Sequence, residues 1–299
     1  MMIKKKYLLM YLLVFMLAGC NSKAENIDLN TVEHYSSDLV VNDRSINEHF
    51  VEGATRLLQS GDYVRLEELA TQLMNITNHA ELNIQTPDTT YTSYNDLKKS
   101  TLVIAQMYEM DNQPGLKLSP ATGFIIDERG ICVTNYHVFE KLGQPMRGAK
   151  LLTAMDYAGN ILPIEEILCA SEKHDIAVFR VKTGNTTLQA IPLSHTQVAV
   201  GEEMNLISHP IGNYYEFTRG YARRYFISRE TGTLRLTTSV PFAVSSSGGA
   251  MYNNRGQVVA VVSSTSPYIG GSGDHRMIQM VNYETIPVSI LRRMVGLDK

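Results

Sequence analysis

The sequence predicts an all-β body, a barrel or sandwich, preceded by a short helical hairpin and closed by a C-terminal helix. Three observations carry this. From about residue 94, short β-branched runs replace helical periodicity: "TLVIAQMYEM", "TGFIIDERGICVTNYHV", "AVFRVKT", "RLTTSV" and "GQVVAVVSS". Turn signals "ERG", "YAGN", "ETG" and "NNRG" fall between them, as many short antiparallel strands require. Outside this region, apolar residues recur at helical spacing in the segments before it and in "ETIPVSILRRMVG" after it.

The elements follow in order. Lys4, Lys5 and Lys6 precede the apolar run Tyr7–Leu17, which leads into Leu17-Ala18-Gly19-Cys20. A positive patch, a short apolar core and small residues before a cut site describe a secretory signal over 1–19. The run is shorter than the ~20 residues that span a bilayer. Its ending resembles a bacterial lipobox, which implies that Cys20 carries lipid. Residues 20–44 are polar and read as a tether, and 45–93 as a helical hairpin with a linker. In the hairpin, Ser45 and Glu48 form a capping box, and Ile46, Phe50, Ala54 and Leu57 make an apolar stripe. Ser60-Gly61-Asp62 breaks the pattern, with Asp62 as a cap for a second helix whose face is Leu66, Leu69, Ala70, Leu73 and Ile76. Two helices this short bury too little area to stand alone, so they are expected to dock on the β-rich region 94–299. Pro287 near the start and Gly296 near the end bound the last helix.

Composition narrows the partners. Lys and Arg total 27 against 30 Asp and Glu, without a basic stripe, so nucleic acid is not expected as a partner. The eight histidines are scattered with no metal-ligand spacing, so neither a metal nor a cofactor is implied. Besides Cys20 the chain has Cys132 and Cys169. An oxidising compartment permits a disulfide between them, and two separate buried thiols are equally compatible with the sequence.

The chemistry concentrates at "VPFAVSSSGGAMYNNRG", residues 240–256. Alone, a serine–glycine run is an ordinary turn. Two other stretches change its meaning. His137 lies at the end of a strand in "TNYHVFEK", and Asp175 lies at the mouth of another in "SEKHDIAVFRV". A serine hydroxyl is a poor nucleophile until an imidazole takes its proton. A carboxylate in turn fixes the imidazole tautomer and stabilises the cation that forms. His137, Asp175 and Ser247 supply base, orienter and nucleophile. His174 reads as a loop residue.

These segments together resemble a trypsin-like serine protease of the chymotrypsin fold, nearest to bacterial HtrA-type enzymes. "TGFIIDERG…TNYHV", "DIAVFRV", "SHPIGNYYEFTRGYARR" and "SSSGGAMYNNRGQVVAVVSS" match the family's segments in order. The resemblance implies two six-stranded Greek-key barrels, with His137 and Asp175 from the first, Ser247 from the second, and the closing helix packed on the second. It also implies that the backbone N–H groups of residues 245 and 247 form an oxyanion hole. Here the chain departs from the family, with Ser245 in place of a glycine. A serine forced into a glycine-type conformation predicts a resting state in which this peptide is misaligned. Pro241 stands where a trypsin-like pocket would carry an acid, which points to an apolar or small side chain before the cut. Ser263, Ser264 and the loop Tyr268–Gly273 are the expected remaining walls.

The function expected is a lipid-anchored envelope serine endopeptidase acting on unfolded or exposed protein segments. The other reading is a catalytically impaired protease-fold lipoprotein that binds or senses. The residues after Ser247 are consumed by the second barrel and its helix, so no PDZ-type domain is expected. Asn21 and Ser22 lack the aspartate associated with inner-membrane retention, which favours an outer membrane facing the periplasm. Oligomeric state is left open.

Overall fold

The computed structural model describes residues 40–298, apart from 86, 88, 89, 141, 143, 144 and 272–276. The signal segment, Cys20 and the end of the loop at 272–273 therefore lie outside the described residues. Twelve strands form two closed antiparallel barrels. The first holds β1 (Thr101–Met110), β2 (Gln113–Asp127), β3 (Ile131–Thr134), β4 (Ala149–Met155), β5 (Ile161–Ser171) and β6 (Ile176–Val181) in the order β1-β2-β3-β6-β5-β4. The second holds β7 (Glu203–Ser208), β8 (Glu216–Ile227), β9 (Leu234–Thr238), β10 (Ala250–Tyr252), β11 (Val258–Gly270) and β12 (Met277–Pro287) in the order β10-β11-β12-β9-β8-β7. Closure removes the open edges that such short strands would otherwise expose.

Both helices of the hairpin form and dock. Helix α1 spans Asp43–Ser60 and α2 spans Leu66–Asn75. Phe50 and Ala54 of α1 and Leu66, Leu69 and Leu73 of α2 are buried. Burying each large apolar side chain stabilises the docked hairpin by roughly 1.5–3 kcal/mol, which these helices need. Helix α1 also ties the two barrels together. Its Asp43 carboxylate accepts the Tyr214 N–H at 2.9 Å, and Asn47 accepts the Tyr214 hydroxyl at 2.6 Å, while His49 Nε2 meets the Gly159 carbonyl at 2.8 Å. The caps differ from the expected ones. Asn42 starts α1, its Oδ1 accepting the Ser45 N–H at 3.0 Å, because it offers the same acceptor earlier in the chain. Asp62 does not cap α2, whose N-cap position falls at Arg65; its carboxylate instead accepts from Lys182 Nζ at 2.6 Å. Gly61 ends α1 at φ 71.

Two further short helices are α3 (Tyr94–Leu97) before β1 and α4 (Tyr136–Glu140) after β3. The closing helix α5 (Val288–Met294) buries Val288, Ile290, Leu291 and Met294.

Cys132 and Cys169 are both free and buried. Cys132 pairs with Phe179 and Cys169 with Val178, consecutive residues of β6. Consecutive strand residues point to opposite faces, so the two thiols sit in different apolar clusters. Burial pushes the Cys169 thiol up to about 12 and raises Cys132 as well, so both stay protonated.

Candidate active site

The first barrel presents an imidazole and a carboxylate from adjacent strand ends. Residues 131–134 form β3, and the chain turns at Asn135 into α4, placing His137 in the helix's first turn rather than at the strand end itself. Asp175 closes a turn, its N–H donating to the Glu172 carbonyl at 3.0 Å, and sits at φ 61 just before β6. Aspartate tolerates this left-handed backbone better than most residues. The Asn135 amide donates to the Asp175 carbonyl at 2.8 Å, joining the two strand ends.

Three donors converge on the Asp175 carboxylate. His137 Nδ1 lies 2.9 Å from Oδ1, the His137 backbone N–H lies 3.2 Å from the same oxygen, and the Ser263 hydroxyl donates to Oδ2 at 2.7 Å. Nδ1 therefore carries the proton, which leaves Nε2 with a free lone pair. Arg235 also packs nearby, its guanidinium donating to the His174 carbonyl at 3.0 Å.

The second barrel supplies the loop between β9 and β10. Its sequence folds into two successive tight turns. Ser246 N–H donates to the Ala243 carbonyl at 3.0 Å, and Gly249 N–H to the Ser246 carbonyl at 3.0 Å. The third residue of each turn has positive φ, 77° at Ser245 and 83° at Gly248, the requirement of a type II turn. At 248 only glycine fits, because a Cβ would collide with Thr134 Oγ1 and the Thr122 carbonyl. At 245 a serine adopts the left-handed conformation at a cost of about 1–2 kcal/mol.

The N–H groups of this loop divide cleanly. Those of 246 and 249 close the turns, and that of Gly248 donates to the Val262 carbonyl at 3.2 Å. Those of Ser245 and Ser247 have no acceptor among the described residues. The misaligned peptide expected from Ser245 is not what the structure holds. The Val244 carbonyl accepts the Ile211 N–H at 2.8 Å. Carbonyl and N–H are antiparallel across a trans peptide, so the Ser245 N–H points away from Ile211.

His137, Ser245 and Ser247 line one cavity of about 300 Å³ between the barrels, together with Phe242, Ser263 and Ser264. Ser247 Oγ lies 3.5 Å from the Ser263 carbonyl, its hydrogen-bond partner among the described residues. Of the expected walls, Ser263 and Ser264 both line the cavity, and Ser263 also donates its hydroxyl to Asp175. A register shift between Val262 and Ser264 in β11 gives Ser263 this position. Tyr268 and Ile269 lie farther along the exposed arm of β11 and do not line the cavity. Sequence reasoning singled out neither Thr122 nor Ile211. A hydroxyl residue before Gly123 in "TGFII" was the available signal for the first; no local feature marks the second.

Two closed barrels flanking a cleft that gathers serine, imidazole and carboxylate define a trypsin-like peptidase domain. The family model described as trypsin-like peptidase domain matches residues 121–261. Among curated proteins the chain is similar to probable periplasmic serine endoproteases, DegP-like: from Hahella chejuensis, 27% identical over 158 residues, and from Halomonas elongata, 30% identical over 156. Each match covers 51% of this chain and 31% of the relative. A third, from Chlamydia muridarum, is 28% identical over 159 residues. The match thus spans under a third of these relatives' own length. Residues 121–261 thus match a trypsin-like peptidase domain, and about half of the chain is similar to DegP-like serine endoproteases.

Proposed function

We propose that this chain is a serine endopeptidase of the bacterial envelope, anchored by lipid on Cys20, that cleaves exposed segments of proteins through an acyl-enzyme. The observation that carries the reading is the pair of N–H groups at 245 and 247 without an acceptor among the described residues, on residues that line the same cavity as an imidazole held by Asp175.

The steps follow from these groups. Ser247 Oγ swings about its Cα–Cβ bond from the Ser263 carbonyl toward His137 Nε2, a contact that tightens when substrate enters. Nε2 takes the hydroxyl proton as Oγ attacks the scissile carbonyl. The negative charge on that carbonyl oxygen falls to the N–H groups of Ser245 and Ser247, and Asp175 balances the imidazolium. The C–N bond breaks as His137 returns its proton to the leaving amine. Water then enters, loses a proton to Nε2 and cleaves the ester, restoring Ser247.

Among the described residues no aspartate, glutamate, lysine or arginine lines the cavity, and Val138, Phe242, Ala243 and Val244 make much of its wall. An uncharged, apolar or small side chain before the scissile bond fits this lining. The relatives' printed names place them in the periplasm, and the N-terminal segment agrees with export.

One experiment tests both parts. Membrane and soluble fractions of cells expressing wild type, Ser247→Ala and Cys20→Ala are treated with a fluorophosphonate probe. Wild type should label in the membrane fraction, Ser247→Ala should not label, and Cys20→Ala should label in the soluble fraction. Equal labelling of Ser247→Ala overturns the nucleophile. Retention of Cys20→Ala wholly in membranes overturns the anchor. A wild type that never labels would instead be a protease-fold binding or sensing protein.

A further inference from the structure

We infer that Thr122 is a positioning residue: its hydroxyl, reaching across from the first barrel, holds Ser245 in the left-handed conformation that presents the Ser245 N–H to the cavity. The inference rests on the peptidase reading above.

A serine in the third position of a tight turn prefers negative φ. Ser245 reaches that state by rotating the Val244–Ser245 peptide, which replaces the N–H in the cavity with a carbonyl. Some contact must therefore hold φ at 77. The two peptides flanking Ser245 are pinned. Before it, the Val244 carbonyl accepts the Ile211 N–H; after it, the Ser245 carbonyl accepts the Thr122 hydroxyl at 2.8 Å. The proton of that hydroxyl has one direction to go, because the same oxygen accepts the His209 N–H at 3.3 Å. Thr122 is fully buried and is itself fixed. Its N–H donates to the Ser247 carbonyl at 3.0 Å, and its carbonyl accepts the Thr134 hydroxyl at 2.8 Å. One residue of β2 thus grips the carbonyls of both residues whose N–H groups are unused. Glycine at 245 would need no such grip, since φ near 77 carries no penalty for it.

That difference supplies the test. Turnover of an unfolded protein substrate is measured for wild type, Thr122→Val, Thr122→Ser, and Thr122→Val in a Ser245→Gly background. Losing a donor of this kind costs up to about 100- to 1000-fold, so Thr122→Val should lower kcat by at least about 10-fold with KM within about 3-fold. Thr122→Ser, which keeps the hydroxyl, should restore most of the rate. Relative to Ser245→Gly alone, adding Thr122→Val should cost less than about 3-fold, the non-additivity expected of coupled residues. A purely structural role would give the same loss in both backgrounds, and that result overturns the inference, as does a Thr122→Val enzyme with wild-type kcat. Ser247→Ala separates the two readings. If it retains turnover, the peptidase reading has failed. If it is inactive while Thr122→Val is normal, only the role of Thr122 has failed. Should Thr122→Val not fold, Thr122→Ala replaces it. Should neither fold, recovery of folding by Ser245→Gly supports the clamp and its absence overturns it.

Discussion

On the first-barrel wall of the cleft, the imidazole is fixed by one side chain: the Asp175 carboxylate takes the His137 ring, the His137 N–H and the Ser263 hydroxyl, all within 3.2 Å. On the second-barrel wall, Ser245 and Ser247 are fixed mainly through their peptides, by two tight turns and by donors reaching carbonyls from Ile211 and Thr122. The first arrangement needs particular residue types, because only a carboxylate can accept all three donors. The second needs particular dihedral angles, and it admits an unexpected residue where neighbours hold the angle. One cleft thus has a wall that tolerates no chemical change and a wall that tolerates no conformational change.

The largest expected effect breaks the side-chain wall. Asp175→Asn keeps the shape but turns one acceptor oxygen into a donor. The amide then faces His137 Nδ1 with an N–H, or loses the Ser263 hydroxyl, and the tautomer with a free Nε2 is no longer favoured. Turnover should fall about 10⁴-fold. The measurement is kcat on an unfolded protein substrate, with circular dichroism to confirm the fold. A loss of only about tenfold would mean that the first-barrel wall does not set the tautomer.

The same contrast explains what the sequence revealed. Strand-forming runs and turn signals gave an all-β barrel or sandwich, because β-branched alternation is written locally. Its division into two barrels came from the family resemblance, and the hairpin stripe at Phe50, Ala54, Leu69 and Leu73 was plain from spacing. His137, Asp175 and Ser247 were legible as residue types in family-like segments, and the structure brings them to one cleft. The clamp was not legible. Thr122 and Ser245 lie 123 residues apart, and their contact exists only after two barrels close. Ser245 was visible as a departure, yet its conformation depended on Ile211, whose own role lies in its N–H, which every residue but proline possesses. The pairing of Cys132 and Cys169 stayed open for a similar reason, since it turned on which faces of β3 and β5 they occupy.

An intermediate effect lies at the join between the walls. His209 follows β7, and its ring is fully buried against β1. Nδ1 accepts the Tyr215 N–H at 3.1 Å, so Nε2 carries the proton and donates to the Leu102 carbonyl at 3.1 Å. The rings of Tyr214 and Tyr215 enclose it, and burial pushes its pKa down to about 4. Below the ordinary value of about 6.5, the unfolded chain takes a proton that the folded chain refuses until about pH 4. Stability therefore falls as pH drops through that window, by about 3 kcal/mol in total from this residue. His209→Gln, which retains an acceptor and a donor but does not titrate, should remove most of this pH dependence whatever its stability at neutral pH. Urea unfolding of both proteins at pH 7 and pH 4.5 measures it. Parallel losses in the two would assign the acid sensitivity elsewhere, with His174, whose pKa is also lowered by burial, the next residue to replace.

The smallest effect sharpens the comparison from the conformational side. Ile211 stands at φ 56 and ψ 20, a backbone state that β-branched residues avoid, and its side chain is 78% exposed. Little packing is therefore lost on truncation, while the left-handed penalty of about 1–2 kcal/mol disappears in glycine. Glycine's added freedom in the unfolded chain returns part of that gain, leaving a net stabilisation of up to about 1 kcal/mol for Ile211→Gly. Thermal and urea unfolding at pH 7 measure it, and a net destabilisation would show that the isoleucine side chain, not the backbone, holds this loop. Asp175 makes the complementary case. It too has positive φ, at 61, yet Asp175→Gly would discard the carboxylate that three donors use. The same substitution in the same backbone state should therefore stabilise one wall of the cleft while disabling the other.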